Sequence, residues 1–172
     1  MKIRALERED DRSSFSSGDD DLDRFFRRFA GQNQFKHHLA ATYVAVDGDV
    51  IVGYATVTAG HIKGDVLPLA LARRLPDYPL PILRLGRLAV SKKSQGTGIG
   101  GELLAFVLDL ALKMAESVGC IGVTVDAKAS AIDFYRRFGF VPVEGLIRGH
   151  DQSRPEPAPM FLPLDDIERA GR

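Results

Sequence analysis

A chain of 172 residues, 45% hydrophobic and 27% charged, has the composition of an ordinary globular domain with a sizeable core. Its 23 Lys and Arg balance 23 Asp and Glu, so no global charge declares a polyanionic partner. A single cysteine, Cys120, excludes a disulfide scaffold, the polar residues 1–11 do not read as a signal peptide, and no apolar run reaches the roughly 18 residues of a membrane span. The expectation is one cytoplasmic domain over residues 1–172, with no contact to a membrane.

Residues 2–6 alternate in polarity and predict a first strand. Ser16, Ser17 and Asp19 offer N-caps ahead of Leu22, Phe25, Phe26 and Phe29, whose spacing predicts an amphipathic helix over 20–35. Two β-branched runs, 42–46 and 50–59, flank Asp47-Gly48-Asp49 and predict a hairpin. A short helix over 65–74 ends before Pro76 and Pro79, and 81–90 reads as a strand. The longest helix spans 97–118, with Leu103, Leu104, Val107, Leu110, Ala111 and Met114 on one face. An apolar strand over 121–126 precedes a helix over 129–138 that Gly139 stops. Residues 140–144 and 160–164 complete the strands, with a polar, proline-rich loop over 148–159. Strands at both ends with helices between them mean an α/β or α+β sheet domain.

The balanced charge is uneven along the chain. Residues 7–23 carry eight acids and two arginines; 24–36 carry Arg24, Arg27, Arg28 and Lys36 with no acid. Residues 63–93 hold seven bases against Asp65 and Asp77. Two readings fit: solvated surfaces, or basic faces that meet a phosphorylated cofactor or a nucleic acid.

The sharpest feature follows the strand ending Leu88-Ala89-Val90. There Gln95-Gly96-Thr97-Gly98-Ile99-Gly100 leads directly into the longest helix. Glycines let backbone approach a ligand, and the N–H groups of a helix start favour phosphate. The turn is no P-loop, because no Gly-Lys-Ser/Thr follows, and its glycine order is wrong for a dinucleotide fold. A tight strand-to-helix connection is the plainer alternative. A second feature is Ala131 with Tyr135 on a short helix, followed by Gly139-Phe140. Alone, Tyr135 reads as a core or rim residue. No His or carboxylate spacing suggests a metal site.

Together the two features resemble the GNAT family of N-acetyltransferases. Gln95, Gly98 and Gly100 match its phosphate-binding signature, and Ala131, Tyr135, Gly139 and Phe140 match its later pattern. Lys128 stands where many members carry an Asn. The resemblance implies a mixed central sheet with helices on both faces and a splayed strand pair that binds acetyl-CoA. A narrower likeness runs through Phe15-Ser16-Ser17-Gly18, Leu22-Asp23-Arg24-Phe25-Phe26, Gly53-Tyr54-Ala55 and Leu85-Gly86-Arg87-Leu88-Ala89-Val90. It is similar to the GNAT toxins of toxin–antitoxin pairs, which acetylate the α-amino group of aminoacyl-tRNA.

The resemblance assigns roles. Leu88, Ala89 and Val90 would pair with the pantetheine amides. Backbone N–H groups of Gln95, Gly96, Thr97, Gly98, Ile99 and Gly100 would hold the pyrophosphate, and a backbone N–H near Val90 would face the oxyanion. Tyr135 would protonate the leaving thiolate. Candidate bases are His61, Asp126 and Glu144, although an α-amine of pKa about 7.7 is already partly neutral. Arg27, Arg28, Arg84 and Arg87 are the candidate contacts to tRNA, with Lys92 and Lys93 near the cofactor mouth; Arg87 has a second reading, in which it orients local structure or pairs with an acid. His37 and His38 read as solvent or partner contacts. A ribbon-helix-helix antitoxin and a homodimer are the implied partners. A protein N-terminus, a lysine or a small amine is the alternative acceptor, and a non-catalytic acetyl-CoA-binding module the alternative class.

Overall fold

The computed structural model describes residues 1–143 and 157–170. The chain divides into two compact units, Met1–Thr58 with Leu85–Leu110, and Ala59–Arg84 with Ala111–Arg172. The strands are β1 (Lys2–Ala5), β2 (Ala41–Asp47), β3 (Val50–Ile62), β4 (Leu80–Val90), β5 (Gly122–Ala127), β6 (Val141–Pro142) and β7 (Ala158–Pro163). They form a seven-stranded mixed sheet in the order β1-β2-β3-β4-β5-β7-β6. The helices are α1 (Asp20–Arg28), α2 (Ala30–Phe35), α3 (Leu69–Ala72), α4 (Ile99–Ser117), α5 (Ile132–Arg137) and α6 (Leu164–Ala170). This is the expected α+β sheet domain.

In the first unit β1, β2 and β3 form an antiparallel meander, with Asp47 paired to Val50 across the two-residue turn Gly48-Asp49. Side chains alternate between faces along a strand, and β3 uses both. Tyr54 points to one face, where its ring stacks on Phe26 of α1 at 4.3 Å and an interplanar angle of 8°. Gly53 points to the other, where an added Cβ would meet Leu103 at 2.9 Å and Ile99 at 3.2 Å. Tyr43, on that second face, meets Phe106 of α4 at 4.8 Å. Helices therefore cover both faces of this unit. Leu103, Leu104 and Val107 are fully buried, as the periodicity predicts.

Several boundaries differ from expectation. The helix predicted over 20–35 breaks at Phe29 into α1 and α2. The Arg12 guanidinium lies close over Gly31, 2.6 Å from where a Cβ would stand. The helix predicted over 65–74 is a 3-10 turn, Gly64–Val66, and the single turn of α3, separated by Leu67 and Pro68. The predicted 129–138 helix opens as a 3-10 turn, Ala129–Ala131, before α5.

In the second unit β7 pairs antiparallel with both β5 and β6. Its core gathers Ile62, Leu67, Leu80, Ile82, Val143 and Phe161. The final helix α6 follows β7 directly and buries Ile167. Of the predicted 148–159 loop, residues 148–156 lie outside the described residues, as does the candidate base Glu144.

Candidate active site

The glycine-rich turn is built in the first unit. Strand β4 ends at Val90, and the Ser91 N–H donates to the Val52 carbonyl at 2.9 Å, which ties the turn to β3. A 3-10 turn, Lys92–Ser94, follows, closed by Ser94 N–H to Ser91 O at 2.9 Å. The Thr97 hydroxyl donates back to the Ser94 carbonyl at 2.6 Å. Gly96 and Gly98 adopt φ of +79° and +92°, a backbone region that side chains disfavour, and an added Cβ at either would meet nothing within 4 Å. The turn is thus shaped by conformation and open above the backbone. Helix α4 begins at Ile99, so its first N–H groups have no partner within the helix and sit at the positive end of its dipole.

Gln95, the first residue of the signature, is used differently from the rest. Its side-chain Nε2 donates to the Ser17 carbonyl at 2.7 Å and to the Val90 carbonyl at 3.0 Å. Its amide links the N-terminal turn to the end of β4.

The candidate arginines are not equivalent. Arg27 donates through Nε to the Phe15 carbonyl at 3.0 Å and also through Nη2, so its fork is engaged inside the unit. Arg28 is exposed and, among the described residues, has no ion-pair partner. Arg87 is exposed, yet its guanidinium carbon lies 3.7 Å from the centroid of Phe25. The water lost on that side lowers its pKa from the ordinary arginine value, with Tyr54 opposing the shift. Among the described residues no carboxylate pairs with it. Lys92 and Lys93 are exposed at the turn.

Arg84 lies in the second unit, on β4, and its Nη2 approaches Asp126 Oδ2 at 3.8 Å. The structure therefore brings a proposed RNA contact and a proposed base together as partners. His61 is exposed at the end of β3. Lys128 begins the 3-10 turn before α5, its carbonyl accepting from the Ala131 N–H at 2.8 Å.

Tyr135 sits on α5, 5% exposed, with edge contacts to Phe134 at 5.1 Å and Phe140 at 5.4 Å. The helix closes beyond it through Gly139 at φ +93°, and the Phe140 N–H returns to the Tyr135 carbonyl at 3.2 Å. Burial pushes the Tyr135 phenol above its ordinary value, so it keeps its proton well into alkaline solution.

A family model described as an acetyltransferase (GNAT) domain matches residues 38–142, which spans the turn, α4 and Tyr135. The chain belongs to the GNAT acetyltransferase family. Within it, the chain is 35% identical over 132 residues to a tRNA-acetylating toxin of Mycobacterium tuberculosis, covering 76% of this chain and 78% of that protein. It is 24% identical to a probable toxin TacT of Sinorhizobium fredii, over 91% of this chain and 87% of that one. Among solved structures it resembles AtaT complexed with acetyl-methionyl-tRNAfMet, with a TM-score of 0.86, 23% identity and 99% of each chain covered. A KacT variant gives a TM-score of 0.83 at 25% identity, again over 99% of each chain.

This GNAT chain uses acetyl-CoA as its acyl donor, and the turn fits that cosubstrate. The open space over Gly96 and Gly98 and the helix start beyond them suit a diphosphate. Among the described residues no group of His, Cys, Asp and Glu could hold a metal ion, and no helix is long and apolar enough to cross a membrane. Two features escaped sequence reasoning. One is the Gln95 bridge, which reaches Ser17, 78 residues away in the chain. The other is the aromatic seat of Arg87, where the ring of Phe25 stands in place of an acid.

Proposed function

We propose that this acetyltransferase acetylates the α-amino group of aminoacyl-tRNA and acts as the toxin of a toxin–antitoxin pair. The observation that carries the reading is the 35% identity to a tRNA-acetylating toxin across most of both chains. Acetyl-CoA supplies an activated acetyl thioester. Backbone N–H groups of residues 95–100 hold its pyrophosphate, while Leu88, Ala89 and Val90 offer main-chain groups to the pantetheine arm. A backbone N–H near Val90 faces the developing oxyanion. Tyr135 holds a proton at Oη and delivers it to the departing sulfur. Its raised pKa opposes a free-standing transfer to a thiolate of pKa near 8.5, so the proton moves together with cleavage of the C–S bond. The α-amine of an aminoacyl ester is partly neutral near pH 7, so no strong base is needed before attack. Once the N–C bond forms, the acidic nitrogen gives its proton to water, and solvent restores the proton that Tyr135 has given to the sulfur.

Arg28 and Arg87 are the arginines best placed to meet phosphates, because neither has a carboxylate partner among the described residues. Arg27 and Arg84 reach RNA only by giving up contacts inside their own units. The family match crosses both units, which supports reading residues 1–172 as one catalytic domain. The same reading places the enzyme in the cytoplasm, as a homodimer held in check by a ribbon-helix-helix antitoxin. Solved relatives carry an antitoxin in their complexes, as in AtaT bound to the C-terminus of AtaR. The test is incubation with labelled acetyl-CoA and charged or uncharged tRNA. Label on the aminoacyl end of charged tRNA alone supports the reading. Labelled protein N-termini or small amines with unlabelled tRNA would replace it.

A further inference from the structure

We infer that Asp23 is a positioning residue for acetyl-CoA binding, acting through Ser17 and Gln95 on the backbone of the turn at residues 90–98. The inference rests on the proposed role of that turn in holding the pyrophosphate.

Asp23 lies on α1 and is 4% exposed. Among the described residues no Lys, Arg or His forms an ion pair with it. A buried carboxylate without a cation must be satisfied by donors, and one short segment supplies them. The Ser17 N–H donates at 2.8 Å, the Ser17 hydroxyl at 2.6 Å and the Ser16 hydroxyl at 3.4 Å. One helical turn later Arg27 grips the Phe15 carbonyl. Residues 23 and 27 share a helix face, so α1 clamps the 15–17 segment at both ends. The helix is itself fastened to β3 by the Tyr54 hydroxyl, which donates to the Leu22 carbonyl at 2.8 Å.

The clamped segment turns its carbonyls toward the glycine-rich turn. Ser16 O accepts from the Lys92 N–H at 2.9 Å, and Ser17 O accepts from Gln95 Nε2 at 2.7 Å. The second bond of Gln95, to Val90 O, closes a path Asp23–Ser17–Gln95–Val90 that ends where the turn leaves the strand. Gly18 follows the segment in a backbone conformation that favours glycine. With φ at +93° it lies under the Lys92 side chain, whose Cε would be 2.7 Å from an added Cβ. A carboxylate serving only the stability of α1 would not need both carbonyls of its partner segment committed to residues 92–95.

The experiment measures acetyl-CoA affinity by calorimetry for Asp23→Ala, Gln95→Met and the double variant, with Asp23→Asn and Gly98→Glu beside them. Each of the first two should weaken binding roughly tenfold, and the double variant should be about as weak as either alone, because both cut one path. Asp23→Asn keeps an acceptor for the Ser17 N–H and should recover most of the affinity. The KM for acetyl-CoA should rise with Kd in Asp23→Ala while kcat moves less than about threefold; mere loss of folded protein lowers kcat and leaves KM alone. Unchanged affinity in folded Asp23→Ala, or effects that multiply in the double variant, would overturn the inference. If Asp23→Ala does not fold, Ser17→Ala against Gln95→Met reads the same coupling, and multiplying effects overturn it there. Gly98→Glu places a side chain and a negative charge in the turn. If it binds normally, the pyrophosphate assignment itself is wrong. If it loses binding while Asp23→Ala does not, only the clamp is wrong.

Discussion

Replacing Tyr135 by Phe removes one oxygen and leaves the packing in place. The ring is buried between Phe134 and Phe140 at centroid distances of 5.1 and 5.4 Å, contacts that phenylalanine retains. Stability should therefore change by less than about 1 kcal/mol in urea denaturation. The Kd for acetyl-CoA should also hold, because the turn proposed to hold the pyrophosphate is untouched. Turnover should fall by about 10²–10⁴, the usual contribution of a positioned acid, or about 3–5 kcal/mol of barrier. The informative assay is single-turnover acetylation at saturating acetyl-CoA, with a melting curve on the same preparation. The pH profile adds a second reading. Burial raises the Tyr135 pKa, so protonated Tyr135 should sustain kcat up to at least pH 10, with any alkaline loss from this group appearing above that value. Wild-type turnover in the folded variant would refute the assignment and reduce Tyr135 to a packing residue.

Tyr54→Phe deletes the 2.8 Å bond to the Leu22 carbonyl and should cost about 1 kcal/mol in urea denaturation. Burial also raises the Tyr54 pKa above that of the unfolded chain, so its contribution is whole below about pH 10 and is lost as pH rises through the folded value; the variant should show a flatter alkaline decline in Tm. Asp10 accepts two bonds from Arg4 at 2.7 and 2.8 Å, and that pairing holds its carboxyl below the ordinary value. Its contribution is present above the unfolded pKa of about 4 and lost as pH falls through the depressed folded value, so Asp10→Asn should lower Tm at neutral pH and flatten the acid limb; an unaltered acid limb would contradict this. Arg28→Ala and Arg87→Ala should each reduce the salt slope of charged-tRNA binding by about one unit, and unchanged slopes in both would point to an acceptor other than RNA.

What the sequence made legible was local. The glycine spacing at residues 96–100 marks a helix start because φ and the space above the backbone are decided within a few residues. The hairpin at Gly48-Asp49 and the buried face of α4 follow from the same short-range rules. The break at Phe29 was not legible, since apolar periodicity continues across it while the backbone of Phe29 departs from helical geometry. Helix α6 was missed because seven residues are too few for a period to declare itself, although Asp165 and Asp166 already mark a first turn.

The site divides in the same way. Tyr135 and the turn could be nominated from the resemblance their motifs carry, whereas the Asp23–Ser17–Gln95 path joins segments far apart in the chain and exists only once β4 and α1 are placed. Arg27 and Arg28 show the point most sharply. In sequence they are neighbours with equal claim on an anion, but one step of about 100° around α1 separates their directions. Arg27 closes on the Phe15 carbonyl and becomes part of the support for the turn. Arg28 is exposed and has no ion-pair partner among the described residues. A basic stretch read from sequence is therefore a mixture of two populations. The backbone carbonyls within reach of each guanidinium, rather than the count of charges, sort one from the other.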